Sequence, residues 1–70
     1  MVVYNRISDF RKKYGMSQSF LGSLVGVSKN TISLYESQRM QPSLRVAFGL
    51  MHVFDCYFAD LFYIDFEDDI

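Results

Sequence analysis

Twice in its first half the chain reads glycine, hydrophobe, serine: Gly15-Met16-Ser17 and Gly26-Val27-Ser28. Each triplet is a helix stop followed by a helix start. Glycine takes the left-handed conformation that ends one helix, the hydrophobe folds back on its last turn, and the serine hydroxyl caps the next helix. The chain is thereby committed to short helices joined by tight turns.

Hydrophobic spacing fills in the helices around those turns. Val3, Ile7, Phe10 and Tyr14 recur at steps of four, three and four, with Arg11, Lys12 and Lys13 off that line, which predicts a first helix over about residues 5–14. A second follows Ser17 over about 18–24, with Leu21, Leu24 and Val25 inward and Phe20 beside them. The third starts after Ser28 and runs from Lys29 to Ser37. Wound at about 100° per residue, it places Thr31, Ile32 and Tyr35 on one side and Lys29, Asn30, Ser33, Leu34 and Ser37 on the other. One face is core; the other is polar and short-chained. Pro42-Ser43 opens a fourth helix over about 43–54, with Leu44, Ala47, Leu50, Met51 and Phe54 inward, and Phe58 and Leu61 fit a final short turn.

The two ends read differently. Phe62 to Glu67 alternates with the period of a strand, and Met1-Val2-Val3-Tyr4 is short and β-branched. A lone apolar strand is an aggregation hazard, so the two are expected to pair with each other or across a dimer.

With 70 residues the chain is expected to form one domain, burying only about 60–65% of the surface it exposes when unfolded. Half of the residues are hydrophobic and 17% aromatic, enough for a packed core. A single cysteine, Cys56, supplies neither an intramolecular disulfide nor a zinc site, so no metal or cofactor is expected and the cytosol is the expected compartment. No apolar run approaches the roughly 18 residues of a membrane span, and the first residues lack the order of a signal peptide. The net charge of −1 conceals two unlike halves. Residues 1–46 hold all seven Lys and Arg against Asp9 and Glu36, a balance of +5, whereas residues 47–70 hold six acids and no Lys or Arg. The first segment suits a polyanion that the second would avoid.

Two helices joined across Gly26-Val27-Ser28, the second with a polar outward face, have the plan of a helix-turn-helix, whose second helix lies in the DNA major groove. The residues add detail to that plan. Ser17-Gln18-x-x-Leu21-Gly22-x-Leu24-Val25-Gly26-Val27-Ser28-x-x-Thr31-Ile32-Ser33-x-Tyr35-Glu36, followed by Pro42-Ser43-Leu44, resembles the Cro/repressor-type (XRE) helix-turn-helix family from Arg6 to Phe62. The resemblance implies an all-α, five-helix, lambda-repressor-like domain over residues 1–70, with the motif at about 17–37 and a small terminal antiparallel β-element. It also implies a bacterial or phage-encoded regulator, most simply a repressor that occupies its operator. The chain departs from the family pattern at four places. Phe20 stands where glutamate usually completes a capping box, and Gly22 where a small residue, often alanine, is usual. Gln38 and Asp55 stand where glycines close the recognition helix and precede the last helix.

Lysine donates to guanine and asparagine pairs bidentately with adenine. Lys29, Asn30 and Ser33, with Leu34 toward a thymine methyl, are therefore the candidate base contacts. Gln18, at the start of the second helix, Thr31, Ser37, Arg39 and Arg45 are the candidate phosphate contacts; in the family the glutamine also braces the recognition helix. Arg11 and Glu36 match the family's structural ion pair, while Lys12 and Lys13 read as solvated helix surface. Phe58, Leu61, Phe62, Tyr63, Ile64 and Phe66 crowd large apolar side chains into nine residues. They mark a homodimer interface in a segment of about 57–70, in keeping with a palindromic double-stranded operator.

Enzymatic chemistry finds little to work with. His52 is the only histidine, sits beside the core stripe with no nucleophile partner, and reads as a partly buried structural residue; Cys56 reads as a core thiol. The C-terminal acids lack the spacing of a calcium loop, and no small-molecule ligand is indicated. The competing non-enzymatic reading is a protein-interaction module, antitoxin-like or a phage-regulator subunit, using the acidic, aromatic C-terminal half.

Overall fold

The computed structural model describes residues 1–66. In chain order its elements are β1 (Val2–Asn5), α1 (Ile7–Lys13), α2 (Gln18–Val25), α3 (Lys29–Glu36), α4 (Leu44–Phe54), α5 (Phe58–Leu61) and β2 (Phe62–Asp65). Serine hydroxyls open three of the helices, Ser17 accepting from the Phe20 N–H, Ser28 from Thr31 and Ser43 from Val46. Left-handed residues shut all three, Gly26, Gln38 and Asp55. Gly26 ends α2 at φ 77°, a conformation that only glycine adopts without steric cost.

Each of the five helices sends at least one side chain to the centre. Ile7, Leu21, Ile32, Leu50, Phe54 and Leu61 are buried to 1% exposure or less, each contributing about 1.5–3 kcal/mol on leaving water. Phe54 lies against two rings of α1 and its C-terminal end, Phe10 at 5.4 Å and Tyr14 at 5.9 Å between centroids. The Tyr14 hydroxyl also donates to the Phe54 carbonyl at 3.0 Å, tying the ends of α1 and α4 together.

β1 and β2 form an antiparallel pair within the chain, with Val2 opposite Asp65, Val3 opposite Ile64, Tyr4 opposite Tyr63 and Asn5 opposite Phe62. The two ends pair with each other, as their strand-like patterns predict. α1 starts at Ile7 rather than at residue 5, because the Asn5 side-chain oxygen accepts from the Ile7 N–H and turns the strand into the helix. The inward sets of α2 and α4 also need correction. Leu24 and Phe20 are about half exposed and Leu44 is largely exposed. The inward place on α2 belongs to Gly22, which is buried against the following turn, and that on α4 to Val46. Among the described residues, no helix is long and apolar enough to cross a membrane.

Candidate nucleic-acid interface

α2 and α3 pack through the turn between them, and the closest point is Gly22. A Cβ there would lie 2.5 Å from the Val27 carbonyl oxygen and 3.3 Å from Ser28 backbone atoms, while the Val27 N–H donates to the Gly22 carbonyl at 2.9 Å. The backbone of the turn therefore rests directly on α2, and this contact sets the angle at which α3 leaves it.

α3 is split lengthwise as its pattern predicts. Ile32 and Tyr35 are buried in the core, whereas Lys29, Asn30, Ser33 and Ser37 are exposed along the opposite side. Leu34 is half-buried beside that exposed line. Thr31 is also half-buried, its hydroxyl 3.0 Å from the Ser28 hydroxyl that caps the helix. Ser37 donates its hydroxyl back to the Leu34 carbonyl. Arg39 and Arg45 are exposed, in the loop after α3 and in the first turn of α4.

Three side chains from three helices meet at Glu36. Arg11 of α1 donates through Nε to Oε2 at 2.6 Å and through Nη2 to Oε1 at 3.1 Å, a two-pronged grip, and its Nη1 donates to the Met16 carbonyl at 2.9 Å. Gln18, at the start of α2, donates to Oε1 at 3.0 Å. The pair is largely shielded from solvent, at 14% and 10% side-chain exposure. Burial pushes the Glu36 carboxyl upward, but the hydrogen bonds from Arg11 and Gln18 outweigh it and hold the group below its ordinary range. The bond to Glu36 likewise raises the Arg11 guanidinium. Both groups are charged at neutral pH, and the cluster locks α3 to α1 and α2.

A second set of bonds grips the same end of α3, and nothing in the hydrophobic pattern announces it. Asn5, the buried polar residue of the described chain, donates from Nδ2 to the Tyr35 carbonyl at 2.9 Å and to Gln38 Oε1 at 3.3 Å. Gln38 Oε1 also accepts from the Asn5 N–H, and Gln38 Nε2 donates to the carbonyls of Asn5 and Glu36. Gln41 adds a bond from Nε2 to the Val3 carbonyl at 2.9 Å. The glycine-like turn is kept without glycine. Gln38 sits at φ 64°, with its own N–H on the Tyr35 carbonyl and that of Arg39 on the Leu34 carbonyl. Asp55 repeats this at the end of α4, at φ 50°, with the N–H groups of Asp55 and Cys56 on the carbonyls of His52 and Met51.

The C-terminal aromatic segment divides. Leu61 and Phe62 are buried in the core, so Phe62 is no freely exposed interface residue: its strand position opposite Asn5 turns it inward, where it stacks on Phe58 at 4.8 Å. Phe58, Tyr63, Ile64 and Phe66 remain 40–60% exposed. Val3, Phe58, Ala59, Phe62, Tyr63 and Ile64 line an open apolar groove of about 470 Å³. Arg6 lies 4.2 Å over the Tyr63 ring, which stacks on Tyr4 across the strands. The last acids, Glu67, Asp68 and Asp69, and the rest of the segment to 70 lie outside the described residues. His52 is exposed rather than partly buried. Burial, with Asp60 and Asp55 nearby, pushes the Cys56 thiol up and away from thiolate chemistry.

Two capped helices crossing on a glycine, with a polar outer face on the second, define a helix-turn-helix. The family comparison agrees with the geometry: a helix-turn-helix family model matches residues 7–61, and the chain belongs to that family of DNA-binding transcriptional regulators. It is 44% identical over 63 residues to an uncharacterised HTH-type transcriptional regulator of Archaeoglobus fulgidus, covering 90% of each chain. It is 31% identical to the uncharacterised HTH-type transcriptional regulator YgzD of Bacillus subtilis, covering 91% of this chain and 97% of that one. Among solved structures it is similar to the P22 c2 repressor in complex with a synthetic operator, at TM-score 0.73 and 34% identity over 76% of this chain and 80% of that one.

Proposed function

We propose that the protein is a repressor that acts by occupying an operator in double-stranded DNA, with α3 in the major groove. The observation that carries this reading is the outer face of α3. Lys29, Asn30 and Ser33 are exposed along it, with half-buried Leu34 beside them, while the opposite face and the Glu36 cluster anchor the helix to the rest of the fold. Such a helix presents donors and acceptors to base edges at a fixed angle. Gln18, Thr31, Ser37, Arg39 and Arg45 meet phosphates and set the register. The similarity to a repressor bound to operator DNA supports the same assignment.

Two copies act together on a palindromic site, joined through the groove lined by Phe58, Tyr63 and Ile64. One module reads only a few base pairs, and two recognition helices about 34 Å apart supply operator-grade affinity. A second copy suits the groove because no Lys or Arg follows Arg45, so that end of the chain has nothing to gain from lying on DNA, while its exposed rings gain from cover.

Selection of bound fragments from a random duplex pool, followed by binding of the winner at several salt concentrations, tests this reading. The expected result is a two-fold symmetric site bound with a steep salt dependence. No enrichment and no salt-sensitive complex on any duplex would overturn it in favour of a protein-binding role.

A further inference from the structure

We propose that Gln38, locked against Asn5, is a positioning residue for DNA reading: it ties the last turn of α3 to the terminal sheet and so holds the tilt at which that helix meets the bases. The inference rests on α3 being the reading helix. A residue with a Cβ is disfavoured in the left-handed conformation, yet Gln38 holds φ 64° at the turn that closes α3. Its side-chain amide is used fully, with two bonds accepted from Asn5 and one donated to each of the Asn5 and Glu36 carbonyls. Asn5 completes the link by donating to the Tyr35 carbonyl. The Glu36 side chain is gripped by α1 and α2, whereas the Tyr35 carbonyl is gripped by Asn5 of β1 and the Glu36 carbonyl by Gln38, which Asn5 in turn holds. Two independent holds on one helical turn leave it little freedom to rock.

The test is Gln38→Gly, which keeps the left-handed turn and removes only the side-chain link, compared with the parent and with Asn30→Ala. Binding is measured to the duplex selected from the random pool and to a random-sequence duplex, alongside the thermal midpoint and amide exchange at Tyr35 to Ser37. Gln38→Gly is expected to melt near the parent and to exchange those amides faster. It should lose roughly two- to tenfold in affinity for the selected duplex with no loss on random sequence. Parent-like preference for the selected duplex would overturn the proposal, and so would equal loss on both duplexes, which marks a purely structural part. If Asn30→Ala loses preference and Gln38→Gly does not, the link alone fails. If neither does, the assignment of α3 as the reader falls as well.

Discussion

Glu36 is an acid that the fold keeps ionised in a largely shielded place. Its carboxyl is held below the ordinary value of 4.5, so its contribution to stability is fully present above that pH and is lost as pH falls through the depressed value. Glu36→Gln should therefore flatten the fall in stability below about pH 4.5, read by urea denaturation at a series of pH values. An unchanged acid limb would show that the group is not coupled to folding. In a double-mutant cycle, Arg11→Met is expected to cost about 3–5 kcal/mol alone because it strands the carboxylate, and much less once Glu36 is gone. Gly22 makes a second prediction at this scale. Alanine would raise helix propensity by about 1 kcal/mol, but its Cβ would have to displace a carbonyl oxygen lying 2.5 Å away. Gly22→Ala is expected to lower stability by about 1–3 kcal/mol, measured by chemical denaturation. Asp55→Gly should do the reverse by about 1 kcal/mol, relieving the left-handed conformation that Asp55 holds at φ 50°.

The elements were largely legible because their signals are local. Ser17, Ser28 and Ser43 open helices as their chemistry dictates, and the split face of α3 follows from its spacing. What escaped depends on tertiary partners. Asn5, expected to start the first helix, instead ends β1 opposite Phe62. Leu24 and Leu44 lose the inward place to Gly22 and Val46. The Asn5–Gln38 link joins residues 33 apart in sequence and leaves no trace in any periodicity. For the candidate site, the residues of the α3 face and the Arg11–Glu36 partners could be picked out, whereas the second hold on α3 could not. α3 and the start of α4 are expected to divide the labour on DNA. Asn30→Ala should weaken the selected duplex by roughly 1–3 kcal/mol and relax one base position. Arg45→Ala, at the start of α4, should weaken all duplexes alike and reduce the salt slope by about one unit. Fluorescence anisotropy on specific and random duplexes decides between them, and matching profiles for the two variants would reject the assignment.

Across the whole molecule, positive charge is confined to the first two thirds of the chain, all Lys and Arg preceding residue 46. Exposed rings occur along its length, but Tyr57, Phe58, Tyr63 and Phe66 bring four of them into one short segment that carries no Lys or Arg. Ile64 is 48% exposed within the groove, so Ile64→Asp should leave the fold intact while placing a charge where a second copy would sit. The variant is expected to sediment as a monomer at micromolar concentration, with the parent as a dimer, and to bind a palindromic duplex with reduced cooperativity. Identical sedimentation of the two proteins would leave the groove without that role.

The antiparallel ladder also decides how the domain answers to force. Val2 and Asp65 are neighbours at its outer end, and Asn5 and Phe62 are neighbours at its inner end. Tension applied through the two ends of the described chain therefore opens the ladder like a zip, one pair at a time, instead of shearing all its hydrogen bonds together. Each step resists with only about 0.5–1.5 kcal/mol per bond. The outer pairs yield first and Asn5 last, so a chain pulled from both ends should part along the sheet while α3 is still held in place.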